Sequence, residues 1–176
     1  MGLFGKKKIT ETEIASQFVI ALAKEVEKCW PTIVKELRQL LQSDQVISDD
    51  EDANFEFTLA VIATQIQALP NLLKQEQASR IRNYILMFFS SRELGSFAKE
   101  AIDAYQDAWD TALEQGELPL DGIASVLYDK LECGEIVEFG GEKFKDPILI
   151  MALSEQVAKF CIPWWKNVIE KYKIVP

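Results

Sequence analysis

The side chains best suited to chemistry are five carboxylates that recur at helical spacing: Glu100, Asp103, Asp107, Asp110 and Glu114. Steps of three and four residues place all five on one face of a helix. At this spacing like charges repel by roughly a few tenths of a kcal/mol per pair, which a solvated surface tolerates. The pattern therefore favours a wet outer face, then a binding surface for a basic partner. A magnesium site comes last, because a catalytic metal needs carboxylates converging from facing helices.

The lack of histidine narrows the chemistry further. The chain contains no His, which excludes Ser-His-Asp catalysis, Cys-His catalysis and histidine-ligated zinc. Its glycines form no phosphate-binding loop, and no GxSxG nucleophile motif occurs. The sequence favours a protein that is not an enzyme, and it predicts no cofactor. A metal-dependent, carboxylate-based hydrolase stays open as the least favoured function.

The cysteines are typical of a reducing compartment. Cys29, Cys133 and Cys161 are odd in number, widely spaced and without a CxxC pair, unlike a disulfide framework or a zinc site. Cys29 and Cys161 fall on apolar stripes, where a thiol packs as a small hydrophobe. Cys133 precedes a predicted helix end, where the dipole disfavours a thiolate. We expect structural roles for all three.

Composition and charge limit the partners. Hydrophobic residues make up 48% of the 176 residues, and the formal net charge is −9, so a folded acidic protein is expected and nucleic acid is disfavoured. The start of the chain lacks the apolar core of a secretory signal, and the longest uncharged run is shorter than a usual membrane span. These features predict a cytoplasmic protein without a transmembrane segment.

Two tryptophans join the carboxylates as candidate interaction residues. Residues 159–166, KFCIPWWK, place a proline before Trp164 and Trp165. Trp164 falls within the apolar stripe of the last predicted helix, and Trp165 lies about 100° round that helix. Trp30 flanks the stripe of the first helix. We expect Trp164 in the core and Trp30 and Trp165 at its boundary, partly exposed, where they either complete the packing or anchor a partner.

Apolar periodicity predicts the fold class. It is typical of an all-α, single-domain bundle of about six helices over residues 1–176, with residues 1–9 as a basic lead segment. Residues 57–73 are uncharged and predict a buried helix. Residues 135–145, EIVEFGGEKFK, predict one short β-hairpin between the last two helices.

Capping residues and prolines predict individual helix features. Thr10 and Glu13 form a capping box at the start of the first helix. The apolar stripes keep their phase through Pro31 and Pro163, which predicts two long helices bent at these prolines, with a tight helix-to-helix junction at Pro31 as the alternative. The residues expected to cap later helices are Ser90, together with Glu93, and Asp121.

These observations lead to a non-catalytic helical interaction or assembly module as the expected function. A protein partner or self-association is predicted, through Trp30, Trp165 and the acidic face. The alternative is a small apolar ligand held between helices and lined by residues 57–73 and 84–89. A weaker prediction is contact with an anionic membrane surface through the lead-segment residues Leu3, Phe4, Lys6, Lys7 and Lys8.

Overall fold

A computed structural model describes residues 6–41, 47, 50–90, 95–134, 136–137, 141, 143–161 and 164–176. Within them lie seven helices and four short strands, so the predicted all-α class with a minor β component is confirmed. The helices are α1 (Glu11–Leu41), α2 (Glu51–Leu72), α3 (Gln75–Ser90), α4 (Gly95–Gln115), α5 (Pro119–Lys130), α6 (Pro147–Phe160) and α7 (Trp164–Lys171). The strands are β1 (Lys7–Thr10), β2 (Ile136–Val137), β3 (Lys143–Phe144) and β4 (Tyr172–Val175).

Helix α2 forms the centre of the molecule. It packs against each of the other six helices, and every residue from Glu56 to Ile66 is buried. A helix that is apolar on all sides has to be surrounded, because any exposed face would leave apolar surface in water. The buried helix predicted from the uncharged run is therefore confirmed, and it continues through Pro70 to Leu72.

Helix α1 begins and continues as the sequence predicts. The Thr10 backbone N–H donates to Glu13 Oε2 at 3.0 Å, and the Glu13 N–H donates to Thr10 Oγ1 at 3.2 Å, which is the capping box. Pro31 lies inside the helix and does not end it. The apolar stripe keeps its helical phase through Pro31, and the continuous helix that it predicts is confirmed.

The C-terminal region differs from the single bent helix that the sequence predicts. Helix α6 begins after the N-cap Asp146, whose Oδ1 accepts from the Ile148 N–H at 2.8 Å, and ends at Phe160. A separate helix, α7, begins at Trp164. Pro163 lies outside the described residues. Continuity of an apolar stripe did not distinguish one bent helix from two helices that both face the core.

Two other predicted helix starts are wrong or untested. Asp121 does not cap α5, because that helix begins at Pro119 after the N-cap Leu118; proline at the first helical position needs no hydrogen-bond acceptor for a backbone N–H. Ser90 is the last residue of α3, and Glu93 lies outside the described residues.

A close helix crossing sets the position of α4. A Cβ on Gly122 of α5 would lie 2.5 Å from the carbonyl oxygen of Ala108 and 3.0 Å from the Cβ of Ala112. Only glycine allows the two backbones to approach this closely. Helix α4 is thereby fixed against α5 on one side, and it packs on α2 and α3 on the other.

The strands form two separate pairs. Strands β2 and β3 pair antiparallel, with Ile136 opposite Phe144, which confirms the predicted hairpin; its Gly140 lies outside the described residues. Strands β1 and β4 pair in parallel, with Lys7 opposite Tyr172 and Thr10 opposite Val175. The sequence did not predict this second pair, which joins the beginning and the end of the described chain.

The helices of the described ranges also bear on membrane topology. None of them combines the length and apolar character needed to cross a bilayer.

Candidate functional site

All five carboxylates of the predicted acidic face lie on α4, but only three enter a cleft. Asp103 is half-buried, and Glu100, Asp107, Asp110 and Glu114 are exposed. Asp103, Asp107 and Asp110 line a cleft of about 550 Å³ formed by the end of α2, by α3 and by α4. Glu100 and Glu114 do not line it. The acidic row is thus divided between a concave site and an open surface.

The floor of this cleft is apolar and its walls are polar. Ile66 and Leu69 of α2 are buried beneath it, and Pro70 and Ala78 lie beside them. Polar groups from α3 and α2 complete the lining, namely Gln67, Gln75 and Ser79. The cleft therefore presents apolar surface for a side-chain stem and carboxylates for a charged end. We call it the acidic cleft.

One arginine fixes one end of the acidic cleft. Arg82 Nη2 donates to Asp103 Oδ1 at 2.9 Å and to Gln106 Oε1 at 2.8 Å. The Arg82 and Asp103 side chains are 36% and 40% exposed, so solvent screens this pair and it adds little stability. Its main effect is to neutralise Asp103 locally. Asp107 and Asp110 have no ion-pair partner among the described residues.

The acidic cleft gives no support to the magnesium hypothesis. No group of three or more His, Cys, Asp or Glu side chains in the described part of the chain is arranged to hold a metal ion. Asp103, Asp107 and Asp110 all come from one helix, and Arg82 already occupies the Asp103 carboxylate. A cationic organic group suits the remaining pair better than a bare divalent ion does, because Mg²⁺ requires near-octahedral oxygen ligation.

The two tryptophans proposed as surface residues are buried. Trp30 is 2% exposed and Trp165 is 1% exposed. Trp30 packs on Phe57 with ring centroids 5.3 Å apart, and Trp165 packs on Phe18 at 4.8 Å. Neither offers a docking surface in this structure. The expectation that they would be partly exposed is wrong.

The error has a physical cause at each position. A helical wheel that treats the segment around Pro163 as one continuous helix places Trp164 in the core. Because α7 is a separate helix with its own orientation, Trp165 is buried and Trp164 is half-exposed. Helix α1 packs against α2, α3 and α6, so its buried arc is wide enough to include the flanking Trp30.

An ion pair that the sequence did not reveal joins the buried carboxylate of Glu11, at the start of α1, to the exposed side chain of Arg80. The Glu11 carboxylate is 1% exposed and binds Arg80 through two contacts, Nε to Oε2 at 2.8 Å and Nη2 to Oε1 at 2.9 Å. Gln77 Nε2 donates to Oε1 at 3.2 Å. Hydrogen bonding to Arg80, more than any other cause, lowers the pKa of Glu11. No local signal relates residues 69 positions apart in sequence.

A second buried carboxylate lies on α2. The Tyr105 hydroxyl donates to Glu56 Oε2 at 3.1 Å, and both residues are buried. Burial raises the pKa of Glu56 above its ordinary value and raises the pKa of Tyr105 well above its own. Neither residue lines the acidic cleft. The contact provides a partner for the buried carboxylate between α2 and α4.

A groove with both aromatic and charged walls lies on another side of the molecule; its charged residues are Lys24, Glu27, Asp50, Glu51 and Asp52. Its volume is about 680 Å³, and it runs between α1, the start of α2 and the end of α3, with Phe55, Phe88 and Phe89 among its walls. Trp30 also lines it, and the buried indole N–H of Trp30 has no acceptor among the described residues. The groove is named here the α1–α3 groove.

The α1–α3 groove only partly matches the ligand pocket predicted from sequence. Of residues 57–73 it uses Thr58, and of residues 84–89 it uses Phe88 and Phe89. The remaining residues of the run up to Ile66 are buried among the surrounding helices, whereas Gln67 and Pro70 line the acidic cleft and Leu72 is 43% exposed.

All three cysteines are free thiols and half-buried. Burial raises the pKa of Cys133 to about 12 and that of Cys161 to about 11. Cys29 lines an open cleft between α1 and α6. The thiols of Cys133 and Cys161 are therefore protonated at neutral pH, in keeping with the structural roles expected for them.

Part of the basic lead segment, residues 7–9, belongs to strand β1. Lys7 and Lys8 are exposed residues of that strand, and Lys6 Nζ donates to the carbonyl oxygen of Ile169 at 2.7 Å. Leu3 and Phe4, the apolar half of the proposed membrane contact, lie outside the described residues.

Comparison with known proteins places no further constraint on these sites. The chain matches no protein-family model, no curated protein and no solved structure.

Proposed function

We propose that this chain is a non-catalytic protein-interaction module whose acidic cleft binds a basic segment of a partner protein. The observation that carries the proposal is the pair Asp107 and Asp110, without ion-pair partners among the described residues and set above the apolar floor of the cleft. Three free thiols support a reducing, cytoplasmic setting for this interaction.

The cleft chemistry favours an arginine or lysine with apolar neighbours. Side chains three residues apart on a helix have Cβ atoms about 5 to 6 Å apart, so one guanidinium can bind both carboxylates. Its aliphatic stem would lie on the exposed Pro70, which removes apolar surface from water. The Arg82–Asp103 pair has no net charge, so Asp107 and Asp110 provide the electrostatic attraction for the basic side chain.

The test compares two isosteric double variants on the same helix. A fluorescein-labelled peptide of alternating arginine and leucine is titrated against wild type, Asp107→Asn/Asp110→Asn and Glu100→Gln/Glu114→Gln, with anisotropy as the readout. Each variant removes two negative charges, but only the first changes the cleft. We expect about tenfold weaker binding by the cleft variant, equivalent to about 1.4 kcal/mol, and little change in the control.

Two outcomes would count against the proposal. Equal losses in both double variants would mean that the peptide responds to general acidity. Binding unaffected by either variant would place the peptide elsewhere. Affinity in the supporting case falls as salt rises, because exposed carboxylates are screened.

A second candidate function is the binding of a small apolar ligand in the α1–α3 groove. It is favoured by the aromatic side chains of Phe55, Phe88 and Phe89, which line the groove. The groove volume lies within the usual range for ligand sites.

The neutral dye N-phenyl-1-naphthylamine provides a probe for this groove. Ile20 lines it and is 45% exposed, whereas Leu40 on the same helix is 55% exposed and lies outside it. Ile20→Lys should abolish dye fluorescence enhancement and Leu40→Lys should preserve it. The absence of enhancement with the wild type, or equal loss in both variants, removes this candidate.

A further inference from the structure

We propose that the outer side of the β1–β4 sheet binds the anionic headgroups of a lipid surface through Lys6, Lys8 and Lys173. These three residues are named here the lysine face. The pairing of β1 with β4 brings together residues 6–10 and 164–176, which contain six lysines, no arginine and one glutamate in a chain whose net charge is −9. The membrane contact predicted from sequence used only the first of these stretches, and the fold adds Lys173 to it.

The pairing register places two of the lysines side by side. Lys8 of β1 lies directly opposite Lys173 of β4, so both side chains leave the sheet on the same side. The next pair, Ile9 and Ile174, points to the other side, where Ile9 is 6% exposed and belongs to the core. Lys8 and Lys173 are both exposed. Their side of the sheet therefore faces the solvent.

Lys6 extends the lysine face beyond the end of β1. Its Nζ donates to the carbonyl oxygen of Ile169 at 2.7 Å, and an ammonium group has further N–H donors to offer a ligand. Lys6 and Lys173 line the same cleft of about 330 Å³, together with Tyr172. This volume is near the lower limit for ligand sites, which suits a single phosphate headgroup.

The charges of the lysine face are not balanced within the fold. None of its three lysines has an ion-pair partner in the described ranges of the chain, and like charges placed opposite each other in a sheet repel. The sheet packs against α1 and α7, whereas the acidic row lies on α4. Because charges are screened over about 8 Å at physiological ionic strength, the local lysines determine what this side of the sheet attracts.

A lipid surface fits the lysine face better than an acidic protein segment does. Protein interfaces are depleted in lysine, and their strongest contacts come from tryptophan, tyrosine and arginine. Each lysine near an anionic bilayer, in contrast, strengthens binding about fivefold. Tyrosine is enriched at the membrane–water interface, and Tyr172 lies beside Lys6 and Lys173 in the cleft. The lysine face shares no residue with the acidic cleft, so the two proposals are independent.

Sedimentation with lipid vesicles measures this binding. Vesicles of phosphatidylserine and phosphatidylcholine are compared with vesicles of phosphatidylcholine alone, using wild type, Lys8→Gln/Lys173→Gln and the control Lys35→Gln/Lys99→Gln. The control removes the same charge from exposed sites on α1 and α4. We expect wild type and control to bind the phosphatidylserine vesicles equally, and the variant of the lysine face to bind them about 25-fold more weakly.

A charge-preserving variant separates lost attraction from altered folding. Lys8→Arg/Lys173→Arg keeps both positive charges and should bind phosphatidylserine vesicles as wild type does. Failure of this variant to bind would mean that the charge of the lysine face is not what the vesicles recognise. Equal losses in Lys8→Gln/Lys173→Gln and the control, equal binding of wild type to both kinds of vesicle, or no binding at all would each overturn the proposal.

Two soluble probes distinguish the lipid surface from other anionic ligands. Inorganic phosphate that binds wild type but not Lys8→Gln/Lys173→Gln, together with no vesicle binding, would overturn the proposal in favour of a free phosphorylated ligand. The same result with a labelled peptide of alternating glutamate and valine would overturn it in favour of an acidic protein segment.

Discussion

Replacing Glu11 by glutamine tests whether the ion pair between its buried carboxylate and Arg80 stabilises the start of α1. The Glu11 carboxylate is 1% exposed, accepts two hydrogen bonds from Arg80 and one from Gln77, and sits at the first residue of the helix. Glutamine keeps the shape and one acceptor oxygen. It removes the negative charge that both the guanidinium and the helix N-terminus favour.

The size of the effect follows from the exposure of the two partners. Removing one member of a fully buried pair is unfavourable by about 3 to 5 kcal/mol, because a charge stays stranded. Here the surviving charge is on Arg80, whose side chain is 44% exposed and can return to water. We therefore expect Glu11→Gln to lower the free energy of unfolding by about 2 kcal/mol at neutral pH, below that range.

The pH dependence gives this prediction a definite sign. The folded state lowers the pKa of Glu11 below its ordinary value of 4.5, chiefly through the hydrogen bond from Arg80. The stabilisation is therefore complete above pH 4.5 and is lost as the pH falls through the folded pKa. The stability gap between wild type and Glu11→Gln should be largest at pH 7 and should close under acid conditions.

Urea denaturation measures this gap at a series of pH values. Glu27→Gln, an exposed change on the same helix, provides the matched control and should show no comparable gap. A double-mutant cycle with Arg80→Gln isolates the coupling between the two side chains. A gap that is the same at pH 7 and at acid pH, or a coupling of zero, would refute the reasoning.

Two other predictions concern buried side chains. Trp165→Ala should lower the free energy of unfolding by about 3 to 5 kcal/mol in urea denaturation, because Trp165 is 1% exposed. Trp164→Ala should have a smaller effect, because that side chain is half-exposed. A larger effect for Trp164→Ala than for Trp165→Ala would contradict this order and support the sequence-based prediction that Trp164 is the core residue. With a disulfide reagent at pH 8, Cys29 should react before Cys133 and Cys161, whose burial raises their pKa values, and equal rates for all three thiols would contradict that order.

Local chemistry explains which parts of the fold the sequence predicts. The Thr10–Glu13 capping box involves neighbours in the chain, and α1 is continuous through Pro31, where its apolar stripe keeps its phase, although the same signal did not separate α6 from α7. The buried α2 was visible because residues 57–73 contain no charge. In each case the decisive interaction is local or is recorded in periodicity.

Contacts between distant residues explain what the sequence missed. The Glu11–Arg80 pair and the β1–β4 sheet join positions far apart, and neither leaves a periodic pattern. The burial of Trp165 depends on how α7 turns relative to α6, which is a tertiary property. The sequence identified the acidic row on α4, but only the packing of α3 beside it shows that Asp107 belongs to a cleft and Glu114 does not.

Mapping the bound basic peptide on the protein tests the central claim most directly. In a ¹⁵N chemical-shift titration with the arginine–leucine peptide, the account predicts that the largest changes fall on α3 residues 75–82 and α4 residues 103–110, on both sides of the acidic cleft. The amides of Glu100 and Glu114 should change less. Largest changes on α1 or at the β1–β4 sheet, with the acidic cleft unaffected, would contradict the account.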